Sequence, residues 1–385
     1  MTHVAETLEH LGLGRPRPAA VADLEAELSA LWRSATEAAE EGSSVMRASA
    51  LTMLVFVDDR RAEAEVSRVV SRVTLQHPCR AIVMIAEPGT SPAGLEAWVS
   101  AHCHLPTGGG KQVCCEQVSV WARGDSVRDL DNVVVPLALP GLPVFLWWRA
   151  GSFSPPDYFK QILRVTDCVL VDSARFAHPA KDLAKLARTV RELSGEVVVG
   201  DLNWTRTQPW RELVAQCFDT PAHRPYLDGL TLVRIEYEEE SPRAVAQGAQ
   251  ALLVAGWLAS RLGWDLREHA GDAVSGVRSW VFRSRSGPIK VEVVPRGFEG
   301  GGKGVCFCMT MKAESPAPAT FLLHRGHDGK TAITRREIAG CPPVERMARL
   351  EVFSEDELLS EEIKYPGRDA IFEEALAMVA RMTAI

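Results

Sequence analysis

Short runs of unbroken apolar residues recur along the first half of the chain. Each ends in charged or aromatic residues, and most lead into a helix-like stretch. Leu51–Val57 stops at Asp58 and Asp59, and Ala62–Leu75 then reads as a helix. Ala81–Ala86 stops at Glu87, Val113–Ala122 reads as a further strand, and Leu142–Leu146 stops at Trp147, Trp148 and Arg149. Pro155–Val165 reads as a helix. Cys168–Val171 ends at Asp172 and Ser173. A stripe of Leu183, Leu186, Ala187, Val190 and Leu193 follows, then Val197–Val199 ending at Gly200 and Asp201. A strand apolar at every position is buried on both faces. Such strands alternating with amphipathic helices predict an α/β fold, a mostly parallel sheet with flanking helices.

This pattern occupies residues 46–222, before Pro225. Residues 1–45 are rich in Ala and Glu, with Leu24, Leu28, Leu31 and Trp32 at helical spacing, and predict a helical segment. Residues 223–385 differ in texture. Leu230–Tyr237 reads as a strand and Val245–Leu262 as a long helix. Strands are expected over Ser279–Arg285, Ile289–Pro295, Val305–Lys312 and Thr320–His324, and closing helices over Asp356–Met382. That order predicts a smaller α+β domain. The length of 385 residues accommodates both.

The formal charge of -7 opposes general affinity for nucleic acid, which rewards clustered Lys and Arg. The start, MTHVAETLEH, lacks the apolar core of a signal peptide. The longest apolar stretch, Val133–Trp148, is broken by Pro136, Pro140 and Pro143, so no membrane partner is expected. Nine cysteines in a long chain fit a reducing compartment with mostly free thiols, and a cytoplasmic location.

In a parallel sheet the carboxyl ends of the strands share one edge, where ligands bind. Asp58, Asp59, Glu87, Trp147, Trp148, Arg149, Asp172, Arg175, Asp201, Asn203, Trp204 and Arg206 should line it, with Trp210 and Arg211 close by. Trp and Arg dominate interface hot spots. These loops therefore read as a recognition surface, or as a site where Arg149, Arg175 and Arg206 hold a sugar phosphate in an enzyme or sensor. The competing reading makes the tryptophans core residues.

Gly108-Gly109-Gly110-Lys111 and Gly300-Gly301-Gly302-Lys303 lack the spacing of a phosphate loop, and no dinucleotide fingerprint follows an early strand, so no cofactor is expected. His102, Cys103 and His104 with Cys114 and Cys115 alternate faces on strands and do not converge as metal ligands. Cys306 and Cys308 share a strand face. With Cys114 and Cys115 they are the redox candidates. No catalytic set is evident.

Leu142-Pro143-Val144-Phe145-Leu146-Trp147-Trp148-Arg149, then Val171-Asp172-Ser173-Ala174-Arg175-Phe176, then Gly200-Asp201-Leu202-Asn203-Trp204-Thr205-Arg206 through Pro209-Trp210-Arg211-Glu212 together resemble the glucose-6-phosphate dehydrogenase assembly protein family, OpcA. The resemblance extends over residues 46–385, more loosely toward the end. It implies a non-enzymatic partner of glucose-6-phosphate dehydrogenase that promotes its active oligomer and flux into the oxidative pentose phosphate pathway. In photosynthetic bacteria the family is linked to thioredoxin-dependent control, which implies thioredoxin as a second partner. It supplies no catalytic residues and no cofactor.

Overall fold

The computed structural model of the chain describes residues 16–38, 45–104, 112–193, 195–238, 248–269, 276–297 and 306–384. Both glycine-lysine stretches lie outside the described residues.

The first sheet holds β1 (Arg17–Ala19), β2 (Val45–Arg47), β3 (Leu51–Val57), β4 (Cys79–Glu87), β5 (Gly94–His104), β6 (Gln112–Arg123), β7 (Val144–Arg149), β8 (Cys168–Val171) and β9 (Val198–Asp201). Its order is β1-β5-β6-β4-β3-β7-β8-β9, with β2 alongside β6. From β6 to β9 neighbours run parallel, whereas β5 is antiparallel to both β6 and β1. The sheet is therefore mixed. Its antiparallel margin arises where β5 returns directly as β6, a connection that parallel strands cannot make.

The helices of ten or more residues are α1 (Leu24–Ala38), α2 (Glu63–Val73), α3 (Pro179–Glu192), α4 (Gln208–Cys217), α5 (Ala249–Arg261), α6 (Glu355–Lys364) and α7 (Ala370–Thr383). Every residue of β3 is buried. Met53, Val55 and Val57 point into one core beneath Val66, Val70 and Val73 of α2 and Leu358 and Leu359 of α6. Leu54 and Phe56 point into a larger core on the other face. That is the two-faced burial the unbroken apolar run demands. Glu116, fully buried on β6, accepts from Arg80, Arg47 and the Trp32 indole, which ties α1 to the sheet.

The second sheet runs β11 (Asp265–His269), β12 (Arg278–Arg283), β13 (Pro288–Arg296), β10 (Leu230–Glu238), β14 (Cys306–Ala313), β15 (Ala319–Arg325), β16 (Thr331–Ile338), β17 (Val344–Arg349). It is also mixed, since β10 and β13 pair parallel and the other pairs antiparallel. It has three more strands than the sequence suggested: β11, β16 and β17. α5 buries ten of its thirteen residues. Gly256 lets α5 approach α7, for a Cβ there would meet the Ala375 carbonyl oxygen at 2.5 Å. The larger core runs continuously from the first sheet through α3, α5 and α7 to the second. No helix among the described residues is long and apolar enough to cross a membrane.

Candidate functional site

The order of the first sheet reverses between β3 and β7, the place where open α/β sheets bind ligands. A dinucleotide or phosphate there needs glycine backbone at the first turn and a helix N-terminus left free for the anion. Here β3 is followed by Asp58, Asp59, Arg60 and Arg61, and Asp59 caps the turn by accepting from the Arg61 amide at 2.8 Å. The first turn of α2 carries Glu63 and Glu65, so its positive end already faces the chain's own carboxylates. Arg149, buried at the end of β7, lies 2.6 Å from Glu65 and 3.2 Å from Glu355 of α6. Arg175 reaches the same Glu355 at 3.0 Å. The crevice is filled by an ion-pair network.

The network continues along the rim. Arg206 grips both oxygens of Asp172 at 2.5 and 2.8 Å. Asp201, wholly buried, accepts from the Ser173 amide (2.9 Å), the Ser173 hydroxyl (2.6 Å) and the Asn203 amide (3.0 Å). Burial pushes its carboxyl up to about 7 against those hydrogen bonds. Asn203 donates to the Ser173 hydroxyl at 3.1 Å, and its Oδ1 is buried without a hydrogen-bond partner. Glu362 of α6 accepts from Thr205, and burial raises its carboxyl too. A Cβ at Gly200 would meet that carboxylate, so a side chain there would displace the Glu362 carboxyl. The arrangement clamps α6 over the ends of β7, β8 and β9.

The four rim tryptophans sit in the core, which corrects the expectation that they belong to a recognition surface. β7 continues through Arg149 rather than ending at Leu146, so Trp147 and Trp148 are strand residues facing opposite sides. Trp147 lies in the core under α2. Trp148 stacks on Phe56 with ring centres 3.9 Å apart, has Phe153 and Phe159 edge-on, and donates to the Ser152 carbonyl at 2.8 Å. Trp204 donates to Asp369 at 2.8 Å beneath the Arg211 guanidinium, 3.6 Å from its ring centre. Burial lowers Arg211 to about 10. Trp210 is 2 % exposed. Asp58 and Asp59 are exposed and Glu87 is half-buried.

Sequence reasoning missed a second Trp/Arg group. Trp98 on β5 and Trp121 on β6 are half-buried at the edge of the α2 face. Arg60 stacks over Trp121 at 3.8 Å and lies 5.5 Å from Trp98, and Arg123 covers Trp121 at 4.2 Å. Glu87 accepts the Trp121 indole at 2.9 Å. The available signal was alternation: each tryptophan lies on the polar-facing phase of its strand.

Cys114 is bonded to Cys103, its partner across β5 and β6, so Cys103 takes part in a disulfide rather than in a metal-like cluster. His102 instead hydrogen-bonds Gln117 at 2.9 Å. Cys115 is free and buried, its thiol pushed up by burial. Cys308 is half-buried and pushed up to about 11 by the same cause. Such thiols hold little thiolate. The Cys306 and His104 side chains lie outside the described residues.

Against known proteins, residues 70–188 match the family model OpcA_G6PD_assem, described as the glucose-6-phosphate dehydrogenase subunit N-terminal domain. Residues 197–376 match OpcA_G6PD_C, described as the C-terminal domain of that subunit. A Synechococcus elongatus protein provisionally named OxPP cycle protein OpcA is 31% identical over 322 residues, covering 80% of this chain and 68% of the relative. One of the same provisional name from Synechocystis sp. is 28% identical over 323 residues, covering 82% of this chain and 66% of the relative. The chain thus spans about two thirds of the length of these relatives. Among solved structures, an NAD binding oxidoreductase from Klebsiella pneumoniae is similar with a TM-score of 0.48 and 13% identity, covering 86% of this chain and 94% of that one. A likeness of that degree carries no argument about cofactor or reaction.

Proposed function

The chain belongs to the OpcA family of glucose-6-phosphate dehydrogenase subunits, and from that premise we propose that it is a non-catalytic assembly factor or allosteric activator of glucose-6-phosphate dehydrogenase. It promotes that enzyme's active oligomer and so the entry of glucose 6-phosphate into the oxidative pentose phosphate pathway. The supporting observation is the closed switch point. Arg149 is clamped by Glu65 and Glu355 where an enzyme of this topology would admit its ligand. The same pairing weighs against the sugar-phosphate reading, because Arg149, Arg175 and Arg206 each already face a carboxylate. An activator acts only through preferential binding to the active state. The surface we assign to that contact is the Trp98–Trp121 group with Arg60 and Arg123, where aromatic area and guanidinium groups reach solvent.

The test mixes the purified chain with glucose-6-phosphate dehydrogenase and follows oligomeric state together with rate against glucose 6-phosphate concentration. A shift toward the larger oligomer with a higher rate is expected. No change in either, together with tight calorimetric binding of glucose 6-phosphate to the isolated chain, would replace this reading with that of a sugar-phosphate sensor.

A further inference from the structure

β17 is the last strand of the second sheet, and among the described residues no strand pairs with its far side. Its pairing with β16 determines which backbone groups face outward. The Leu350 amide donates to the Lys330 carbonyl at 2.7 Å, and the register continues Ala332–Ala348, Thr334–Arg346 and Arg336–Val344. In an antiparallel ladder, hydrogen-bonded pairs alternate with pairs whose N–H and C=O point away. Glu345, Met347 and Arg349 therefore turn their amides and carbonyls to the open side. Their side chains share one sheet face, opposite to that of Val344, Arg346 and Ala348.

Edges are commonly protected by like charges that repel a second copy. This edge carries opposite charges at equal distances from its centre. Placing a two-fold axis through Met347 sets Glu345 of one copy against Arg349 of the other, twice, and Met347 against itself. All three pairs are of the outward-facing kind, so each exchanges two backbone hydrogen bonds. In the single chain Glu345 and Arg349 are exposed and, among the described residues, take part in no ion pair. Met347, at the axis, is 72% exposed, more than any other large apolar side chain described.

We infer that β17 is a homodimerisation edge, pairing antiparallel with the β17 of a second copy about Met347 so that the two second sheets become one continuous sheet. The ion pairs Glu345–Arg349 set the register and Met347 closes the centre. The contact is a short strand pairing, so the dimer forms in a concentration-dependent way.

The test is sedimentation of the full chain over a range of concentrations, with three variants. Met347→Pro removes the outward amide at the axis and leaves the bonds to β16 in place, so it should hold the chain monomeric. Arg349→Glu sets two pairs of like charges facing each other and should weaken the dimer roughly tenfold. Glu345→Arg combined with Arg349→Glu reverses both charges in each copy and should restore the affinity of the unaltered chain to within about twofold. That rescue cannot arise from misfolding. A chain that stays monomeric at every concentration overturns the inference. So does a dimer that forms equally well in all three variants, which would place the contact elsewhere. A monomeric chain whose binding to the dehydrogenase is lost in Met347→Pro would give the edge to a strand of that partner, attracted by Arg336 and Arg346, and would also overturn self-pairing.

Discussion

Tryptophans of one chain can have opposite roles, and burial separates them. Trp148 is held by Phe56, Phe153 and Phe159. Trp148→Ala should lower stability by about 3–5 kcal/mol, read as a lower unfolding midpoint, because the cavity lies in a packed core. Trp121→Ala should cost far less stability and instead weaken dehydrogenase binding, since its ring is only partly buried between Arg60 and Arg123. Equal loss of stability in the two variants would remove the Trp121 group from the proposed contact. Asp201 contributes a pH dependence. Its folded value is raised to about 7, well above the ordinary carboxyl range near 4. The protonated form is therefore the one folding favours. The stability it contributes is complete below about pH 4 and is lost as pH rises toward 7, where further change ceases. Asp201→Asn should remove that slope. Denaturation midpoints of the chain and the variant, taken from pH 4 to 8, should diverge over this window, and parallel curves would show that Asp201 ionises normally.

At the scale of elements, α6 is the piece that closes the rim. Ser354 and Glu357 form a capping box at its start, and Glu355 then reaches back to Arg149 and Arg175. Glu355→Ala leaves Arg149 with Glu65 alone and should cost about 2 kcal/mol. The protection of α6 amides against hydrogen exchange should fall with it. Unchanged protection would mean that apolar contacts of Leu358 and Leu359 hold the helix unaided. The same elements show what sequence could reveal. β3, β4, β7 and β8 were legible because two-faced burial leaves an unbroken apolar run. β5, β16 and β17 were not, because each has one polar face, and TAITRREI and VERMAR read as surface. Ending β7 at Leu146 turned two core tryptophans into loop residues. The closing carboxylate was invisible for another reason: Glu355 lies 206 positions from Arg149, and no local pattern announces such a pair.

The largest scale concerns whether the two sheets stand alone. Residues 46–222 and 223–385 differ in texture, which is the ground for proposing two domains. The chain nevertheless crosses between them more than once. α7, at the far end of the sequence, packs against α5 and also against α3, and its N-cap Asp369 accepts the Trp204 indole at 2.8 Å. One apolar core contains Leu54 and Trp148 of the first sheet and Ile235 and Phe321 of the second. Domains unfold separately only where few contacts join them. A shared core therefore predicts a single cooperative transition in urea, with the same midpoint for Trp148 and Trp204 on one side and for Trp264 and Trp280 on the other. Each can be followed in a chain whose other tryptophans are replaced by phenylalanine. Gly256→Val makes the prediction sharper, since the added side chain must push α5 off the Ala375 carbonyl. Overpacking of this kind costs about 1–3 kcal/mol. If the core is common property, both sets of tryptophans should shift to lower urea by the same amount. A shift confined to Trp264 and Trp280, with Trp148 unmoved, would show instead that the sheets are separate folding units in contact, and that α7 is an arm laid across them.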